Sequence, residues 1–205
     1  MKDFLRNITA NSILTIWAII FQFISVPVFL TYWGVAKYGE WIVLNSVTVF
    51  FQMSDIGLTT ASLNSFVINY QKGNLLVCKK IINNNIVVIS GIFLLVFLLL
   101  LFLFELNLFE KLLKFEILDS RKVPVYIFLL FLYTYLGTIS NSLASIYTAV
   151  GKYSRCIMID NVFKFFEGSV LIYLLITNTS LFCILLGYLL VRVLQLLFKE
   201  PQKTL

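Results

Sequence analysis

IVVISGIFLLVFLLLLFLF, residues 86–104, is an apolar run without a charged side chain. A hydrocarbon core of about 30 Å is crossed by about 20 helical residues, each of which advances a helix by about 1.5 Å. Together with residues 82–85 in front of it, the run has this length. It therefore predicts a transmembrane helix over residues 82–104.

The composition of the whole chain has the same character. Of its 205 residues, 60% are hydrophobic and 13% are charged, whereas soluble domains carry about 25% charged residues. The chain has no His, and its three cysteines form no C-x-x-C pair. Zinc sites of the usual kind and Ser-His or Cys-His catalysis are therefore disfavoured, and we predict no enzymatic activity, metal or cofactor. The net charge of +6 comes from basic residues between apolar segments, which argues against a nucleic-acid partner.

Apolar segments long enough to cross a bilayer alternate with short polar loops along the chain. The pattern predicts an all-α integral membrane protein, a bundle of six transmembrane helices over residues 1–198, followed by a short basic tail over residues 199–205. The expected spans are residues 8–33, 38–70, 82–104, 123–150, 157–176 and 181–198.

The loops predict the orientation of the bundle. If the amino terminus is cytoplasmic, ten Lys and Arg residues lie on the inner side and five on the outer side, and the positive-inside rule then favours both termini inside. Trp33, Tyr38 and Trp41 fall at the expected outer interface. The inner residues are Lys2, Arg6, Lys72, Lys79, Lys80, Lys152, Arg155, Arg192, Lys199 and Lys203. The outer residues are Lys37, Lys111, Lys114, Arg121 and Lys122.

The outer loop ELNLFEKLLKFEILDSRK, residues 105–122, alternates charged residues with Leu, Phe and Ile at helical spacing. One interpretation is a short amphipathic helix on the membrane surface. The other is a solvated connector.

The second expected span holds a carboxylate, Asp55, within an apolar run. As one helix over residues 38–70 it would be about 50 Å long, more than the bilayer requires. Small and polar residues follow Asp55, among them Asn64, and a charge in this position should face the bundle interior or water. Asp55 and Asn64 therefore line a watery cavity or, alternatively, only bond to a neighbouring helix.

The fifth expected span, with the sequence IDNVFKFFEGSV, carries three charges on one face. Asp160, Lys164 and Glu167 are spaced i, i+4 and i+7, which places them within about 60° of one another around a helix. The stripe lines a polar cavity in which Lys164 contacts an anionic group, or its members neutralise one another and pair with other helices. Arg192, near the inner end of the last span, is expected to extend to the lipid headgroups.

Residues 22–64, QFISVPVFLTYWGVAKYGEWIVLNSVTVFFQMSDIGLTTASLN, and residues 148–155, TAVGKYSR, resemble the amino-terminal part of the bacterial polysaccharide flippases. This family exports O-antigen and teichoic-acid units and is related to the multidrug and toxic compound extrusion transporters. The shared features are Pro27 in a long first helix, Gly34, the pair Tyr38-Gly39, and Asp55-x-Gly57.

The resemblance implies a multi-pass protein of the bacterial cytoplasmic membrane. Its substrate would be a lipid-linked oligosaccharide, such as an O-antigen or capsule repeat unit on undecaprenyl pyrophosphate, carried by alternating access between two six-helix lobes. It further implies that Lys164 faces the diphosphate, while Asp55, Asp160 and Glu167 adjust the charge or carry a coupling ion.

The sequence departs from the family in two respects. Asn64 lies in a region where many relatives have an Arg, and the chain has six expected spans where relatives have twelve or more. It therefore resembles the amino-terminal lobe alone. We expect a fragment or truncated form, or a lobe that pairs with a second six-helix lobe or with other glycan-assembly proteins.

Two alternatives remain open at this point. One is an exporter of drugs or small cations on the same fold, which would need an acidic cavity. The acids Asp55, Asp160 and Glu167 against the single base Lys164 would favour it. The other is a non-transporting scaffold of a glycan-assembly complex, in which the charged stripe tolerates neutral substitution.

Overall fold

A computed structural model of the chain describes residues 2–53, 57–106 and 115–199, with side chains from residue 12 onward except residues 13–15 and 18. Within these ranges the protein is all-helical, as the composition predicts. The helices are α1 (Lys2–Met53), α2 (Leu58–Gln71), α3 (Leu75–Glu105), α4 (Val123–Ala149), α5 (Tyr153–Ile176) and α6 (Leu181–Lys199).

Within the described residues, four helical segments are long and apolar enough to cross a membrane, namely Ile19–Met53, Leu75–Glu105, Val123–Ala149 and Leu181–Lys199. Large apolar side chains project from the surface of the bundle, including Phe23, Leu76, Leu95 and Phe198. A water-soluble protein rarely exposes so many large apolar side chains. The structure is therefore that of a helical membrane protein.

Helix α4 is the centre of the bundle and contacts each of the other five helices of the described chain. Its hydroxyl side chains make this burial possible. Thr134, Thr138 and Ser142 each donate a hydrogen bond to the carbonyl four residues earlier, over 2.9–3.1 Å, so the protons of these three buried hydroxyl groups are paired. Ser142 also accepts a hydrogen bond of 3.0 Å from Asn85 of α3.

Helix α1 is broken at Gly34, whose backbone angles are φ 74° and ψ 170°. Only glycine adopts this conformation readily. The break falls between the first two spans expected from the sequence. Around it, Phe29 packs against Trp33 and Tyr38 with ring-centre distances of 5.2 and 4.9 Å, so these aromatic residues pack inward rather than simply marking the membrane surface.

The expected single helix over residues 38–70 is two helices in the structure. α1 ends at Met53 and α2 begins at Leu58, and Gly57 before it has a left-handed conformation with φ 75°. A left-handed residue cannot continue a right-handed helix. Among the described residues, no atom lies within 4 Å of the position that a Cβ on Gly57 would occupy, so its conformation rather than a close contact is what requires a glycine here. Asp55 lies outside the described residues.

Glu40 of α1 ties the loop before α4 to the bundle. Its Oε1 atom accepts hydrogen bonds from the backbone N–H groups of Glu116 and Ile117, over 2.6 and 2.9 Å. Its Oε2 atom accepts one from Leu118, over 2.8 Å. Residues 115–122 form bends and turns rather than a helix. The amphipathic helix considered for this loop could therefore involve only residues 107–114, which lie outside the described ranges.

Candidate functional site

A polar cavity of about 370 Å³ lies between α1, α4, α5 and α6. Its described lining contains two cations, Lys164 and Arg192, and no carboxylate. The other lining residues are uncharged: Gln52, Tyr133, Thr134, Gly137, Thr138 and Asn141. Two positive charges beside hydroxyl and amide groups form a surface that favours an anion with several hydrogen-bonding groups.

The cavity exists because α4 presents one face to it. Residues 133, 134, 137, 138 and 141 follow the spacing of a single helix face. Gly137 lies in the middle of this face, where a Cβ would be 3.6 Å from the guanidinium of Arg192. A larger side chain at Gly137 would occupy the space into which the guanidinium extends.

Arg192 is held inside the bundle. Its Nη2 atom donates a hydrogen bond of 2.7 Å to the Tyr133 hydroxyl, and its Nη1 atom donates one of 2.6 Å to Gln195 Oε1. The guanidinium carbon also lies 4.5 Å from the centre of the Tyr133 ring. The expectation that Arg192 extends to the headgroups is therefore wrong, because partners on α4 and α6 hold its side chain inward.

Lys199 is fully buried and belongs to α6 rather than to a basic tail that begins at residue 199. Its ammonium nitrogen lies 2.8 and 3.1 Å from the two carboxylate oxygens of Asp160, and 3.2 Å from Ser140 Oγ. The Asp160 side chain is 24% exposed. Burial of an ammonium group is costly without such a partner, so the Asp160 carboxylate explains why Lys199 can lie inside the bundle.

These contacts form one network of polar side chains across three helices. Gln195 links its two halves, because its Oε1 accepts from Arg192 and its Nε2 donates to Asp160 Oδ1 over 2.6 Å. This network, which we call the interhelical network, runs from Tyr133 of α4 through Arg192, Gln195 and Asp160 to Lys199. Adjacent to it, the Glu167 carboxylate lies near Tyr133 and Arg192. Its Oε1 atom is buried, with no hydrogen-bond partner among the described residues.

The residues predicted from the sequence are only partly brought together. Lys164 lines the cavity. Asp160 belongs to the interhelical network instead, and Glu167 lies beside it, so the stripe on α5 is divided between two environments. Asn64 is exposed on α2 and is not among the residues that line the cavity. Asp55 cannot be placed, because it lies outside the described ranges.

Sequence reasoning missed Arg192 and Lys199 as interior cations. A signal was present, since Arg192, Gln195 and Lys199 are spaced i, i+3 and i+7 on α6, much as the charged stripe is on α5.

The proposed excess of interior acids does not hold in the described part of the chain. There Asp160 and Glu167 are accompanied by Arg192 and Lys199, and Lys164 adds a further positive charge beside the cavity.

Comparison of the chain with known protein families, curated proteins and solved structures found no match. The likeness to polysaccharide flippases accordingly stays a prediction from the sequence.

Proposed function

We propose that this chain is one lobe of a membrane carrier that moves an anionic, lipid-linked oligosaccharide across the bilayer. The observation that supports this proposal best is the polar cavity, whose described lining contains Lys164 and Arg192 and no carboxylate. A diphosphate would meet two cations there. Gln52, Thr134 and Asn141 offer amide and hydroxyl groups to sugar hydroxyls.

The two cations suit a diphosphate in different ways. Arg192 already has two hydrogen-bond partners, which hold its guanidinium in one orientation, and a fixed guanidinium recognises phosphate oxygens well. Lys164 is exposed, and within the described part of the chain its charge acts on the Glu167 carboxylate without a direct ion pair between them. Its ammonium group is therefore available to a ligand.

The proposal extends to the setting of this lobe. We place it in the bacterial cytoplasmic membrane with six spans and both termini inside. Undecaprenyl pyrophosphate carries the glycan, and a second six-helix lobe or other glycan-assembly proteins complete the pathway. The basic loop at residues 150–155 and the resemblance of residues 22–64 to the flippases support this setting.

Export of small cations is the second candidate. It is favoured by one observation, the buried Oε1 atom of Glu167 that has no hydrogen-bond partner in the described structure. A cation entering from the cavity could use that carboxylate. Against it, the cavity lining places Lys164 and Arg192 in the path of such a ligand.

Binding of two small probes by the full chain in detergent micelles separates these functions. We expect farnesyl diphosphate to bind and tetraphenylphosphonium not to bind. The substitution Lys164→Gln should weaken farnesyl diphosphate binding about tenfold, the loss expected for one charge-assisted hydrogen bond. Lys152→Gln is the matched control, because Lys152 is exposed and lies outside the cavity lining.

Three results would count against the proposal. Equal losses from Lys164→Gln and Lys152→Gln would mean that only net charge matters. Binding of tetraphenylphosphonium that is abolished by Glu167→Gln would favour cation export. If the folded chain binds neither probe, the non-transporting scaffold becomes the better interpretation.

A further inference from the structure

A second cavity of about 700 Å³ lies along α5 and α6 and is separate from the polar one. We call it the lateral groove. Its volume is in the range of small-molecule sites, about 300–1,000 Å³. Arg155 is the only charged residue among its described lining. The apolar walls include Met158, Val162 and Phe166 of α5, and Leu190, Leu194 and Phe198 of α6.

The lateral groove follows the axis of α5. Its lining on this helix begins at Arg155 and continues through Met158, Val162 and Phe166 to Val170, which are positions on one helix face. Fifteen residues of helix cover about 22 Å, more than half of the hydrocarbon core of about 30 Å. The groove is therefore long enough to follow an alkyl chain through one leaflet.

Arg155 gives the lateral groove a polar end. It is exposed, and in the described part of the chain it makes no ion pair or side-chain hydrogen bond. It lies in the first turn of α5, directly after the loop that the positive-inside rule places in the cytoplasm. Basic residues at the cytoplasmic ends of transmembrane helices attract anionic lipid headgroups.

We propose that the lateral groove binds an anionic phospholipid of the cytoplasmic leaflet. One alkyl chain lies along α5 and α6, and the phosphate pairs with Arg155. A single cation at one end of an apolar channel is complementary to an amphiphile with one anionic end. This inference does not depend on the proposed carrier function, because Lys164 and Arg192 are not part of the groove.

The test measures the thermal unfolding of the full chain in detergent as phosphatidylglycerol or phosphatidylcholine is added. A ligand that binds only the folded state raises the unfolding temperature with concentration. We expect phosphatidylglycerol to be the stronger stabiliser. Arg155→Gln should weaken its apparent affinity about fivefold, the effect of one basic residue near a membrane surface, and should leave the response to phosphatidylcholine unchanged.

Two variants and one soluble probe sharpen the test. Lys152→Gln removes a neighbouring exposed charge that does not line the groove, and it should have a smaller effect than Arg155→Gln. Val162→Trp fills the groove without changing the charge, and it should weaken phosphatidylglycerol binding as well. Glycerol 3-phosphate, a headgroup without alkyl chains, should not stabilise the protein.

Several results would overturn the inference. Equal stabilisation by phosphatidylglycerol and phosphatidylcholine would mean that the groove is ordinary lipid-facing surface. If Val162→Trp leaves phosphatidylglycerol binding unchanged, no alkyl chain enters the groove, as expected if another helix covers this face. Displacement of phosphatidylglycerol by farnesyl diphosphate would assign the groove to the carrier's own substrate.

Discussion

Lys199 and Asp160 form an ion pair in which the lysine is completely buried and the aspartate partly so. A pair of this kind contributes little net stability, because the attraction mainly offsets the loss of hydration. The cost appears when one member is removed and the other is left without a counter-charge. Ser140 and Gln195, which also bond to the pair, are uncharged and cannot replace it.

We therefore expect Lys199→Met to lower the free energy of unfolding by about 2–4 kcal/mol, since Asp160 loses its counter-ion. The double variant Asp160→Asn/Lys199→Met should recover a large part of this loss. Reversible unfolding in mixed detergent micelles measures both values. Lys80→Met on the exposed side of α3 is the control, and a double variant that is simply additive would show that the two residues are not coupled.

The interhelical network also shows what the sequence could reveal about individual residues. For Asp160 the sequence left two interpretations open, the wall of a polar cavity or pairing with another helix, and in the structure its carboxylate bonds to Lys199 and Gln195 of α6. Its partner was not predictable, because helical periodicity defines a face but not the neighbouring helix. Arg192 was misjudged for the same reason: a position near a helix end fits both the headgroups and the interior, and only the packing against Tyr133 decides between them.

Helices α1 and α5 pack closely against each other at Gly168. A Cβ at this position would lie 2.7 Å from a ring carbon of Phe21, closer than side-chain atoms normally approach. Small residues allow membrane helices to pack closely in this way. The sequence singled out Gly34, Gly39 and Gly57 but not Gly168, because only the packing of the helices distinguishes a contact glycine from any other.

Gly168→Ala should lower the free energy of unfolding by about 1–3 kcal/mol, the usual effect of overpacking, because the Phe21 ring must move. Gly91→Ala in α3 is a matched control: it is also a helical glycine, and nothing lies within 4 Å of its Cβ position. There the better helix propensity of alanine should be neutral or stabilising. Chemical unfolding of the two variants in parallel provides the comparison, and equal losses would contradict the close contact.

The ends of the helices were predictable to different degrees. The sixth expected span, residues 181–198, differs from α6 (Leu181–Lys199) by one residue, because polar residues precede it. The second expected span failed at Gly57, since its apolar pattern continues through the break. A glycine in an apolar run is compatible both with a continuing helix and with a left-handed residue that ends one.

At the level of the whole molecule, composition was sufficient for the class of protein but not for its arrangement. The low charge and long apolar runs predict a helical membrane protein, and four helical segments of the structure fit that description. The central place of α4 was not predictable. Its sequence is richer in hydroxyl side chains than that of α3 or α6. Hydroxyl groups fit a cavity wall as well as a central helix, however, and only the packing of five neighbouring helices around α4 distinguishes the two.

The orientation of the chain can be tested with single cysteines in a variant whose three native cysteines are replaced. The substitutions Arg121→Cys and Thr177→Cys should react with a membrane-impermeant maleimide in intact cells. Lys72→Cys and Lys152→Cys should react only after the membrane is opened. All four residues are exposed. The opposite labelling pattern would invert the expected topology, and labelling of Arg121→Cys without Thr177→Cys would change the number of spans.

The three hydrogen bonds to Glu40 connect the loop before α4 to one particular part of α1. Glu40 lies six residues beyond Gly34, so it belongs to the segment on the far side of the break. Any movement of that segment about Gly34 would therefore carry the backbone of residues 116–118 with it, as long as the three hydrogen bonds hold. An antibody fragment that binds residues 116–118 would therefore restrict the movement of the part of α1 after Gly34 without entering the bundle.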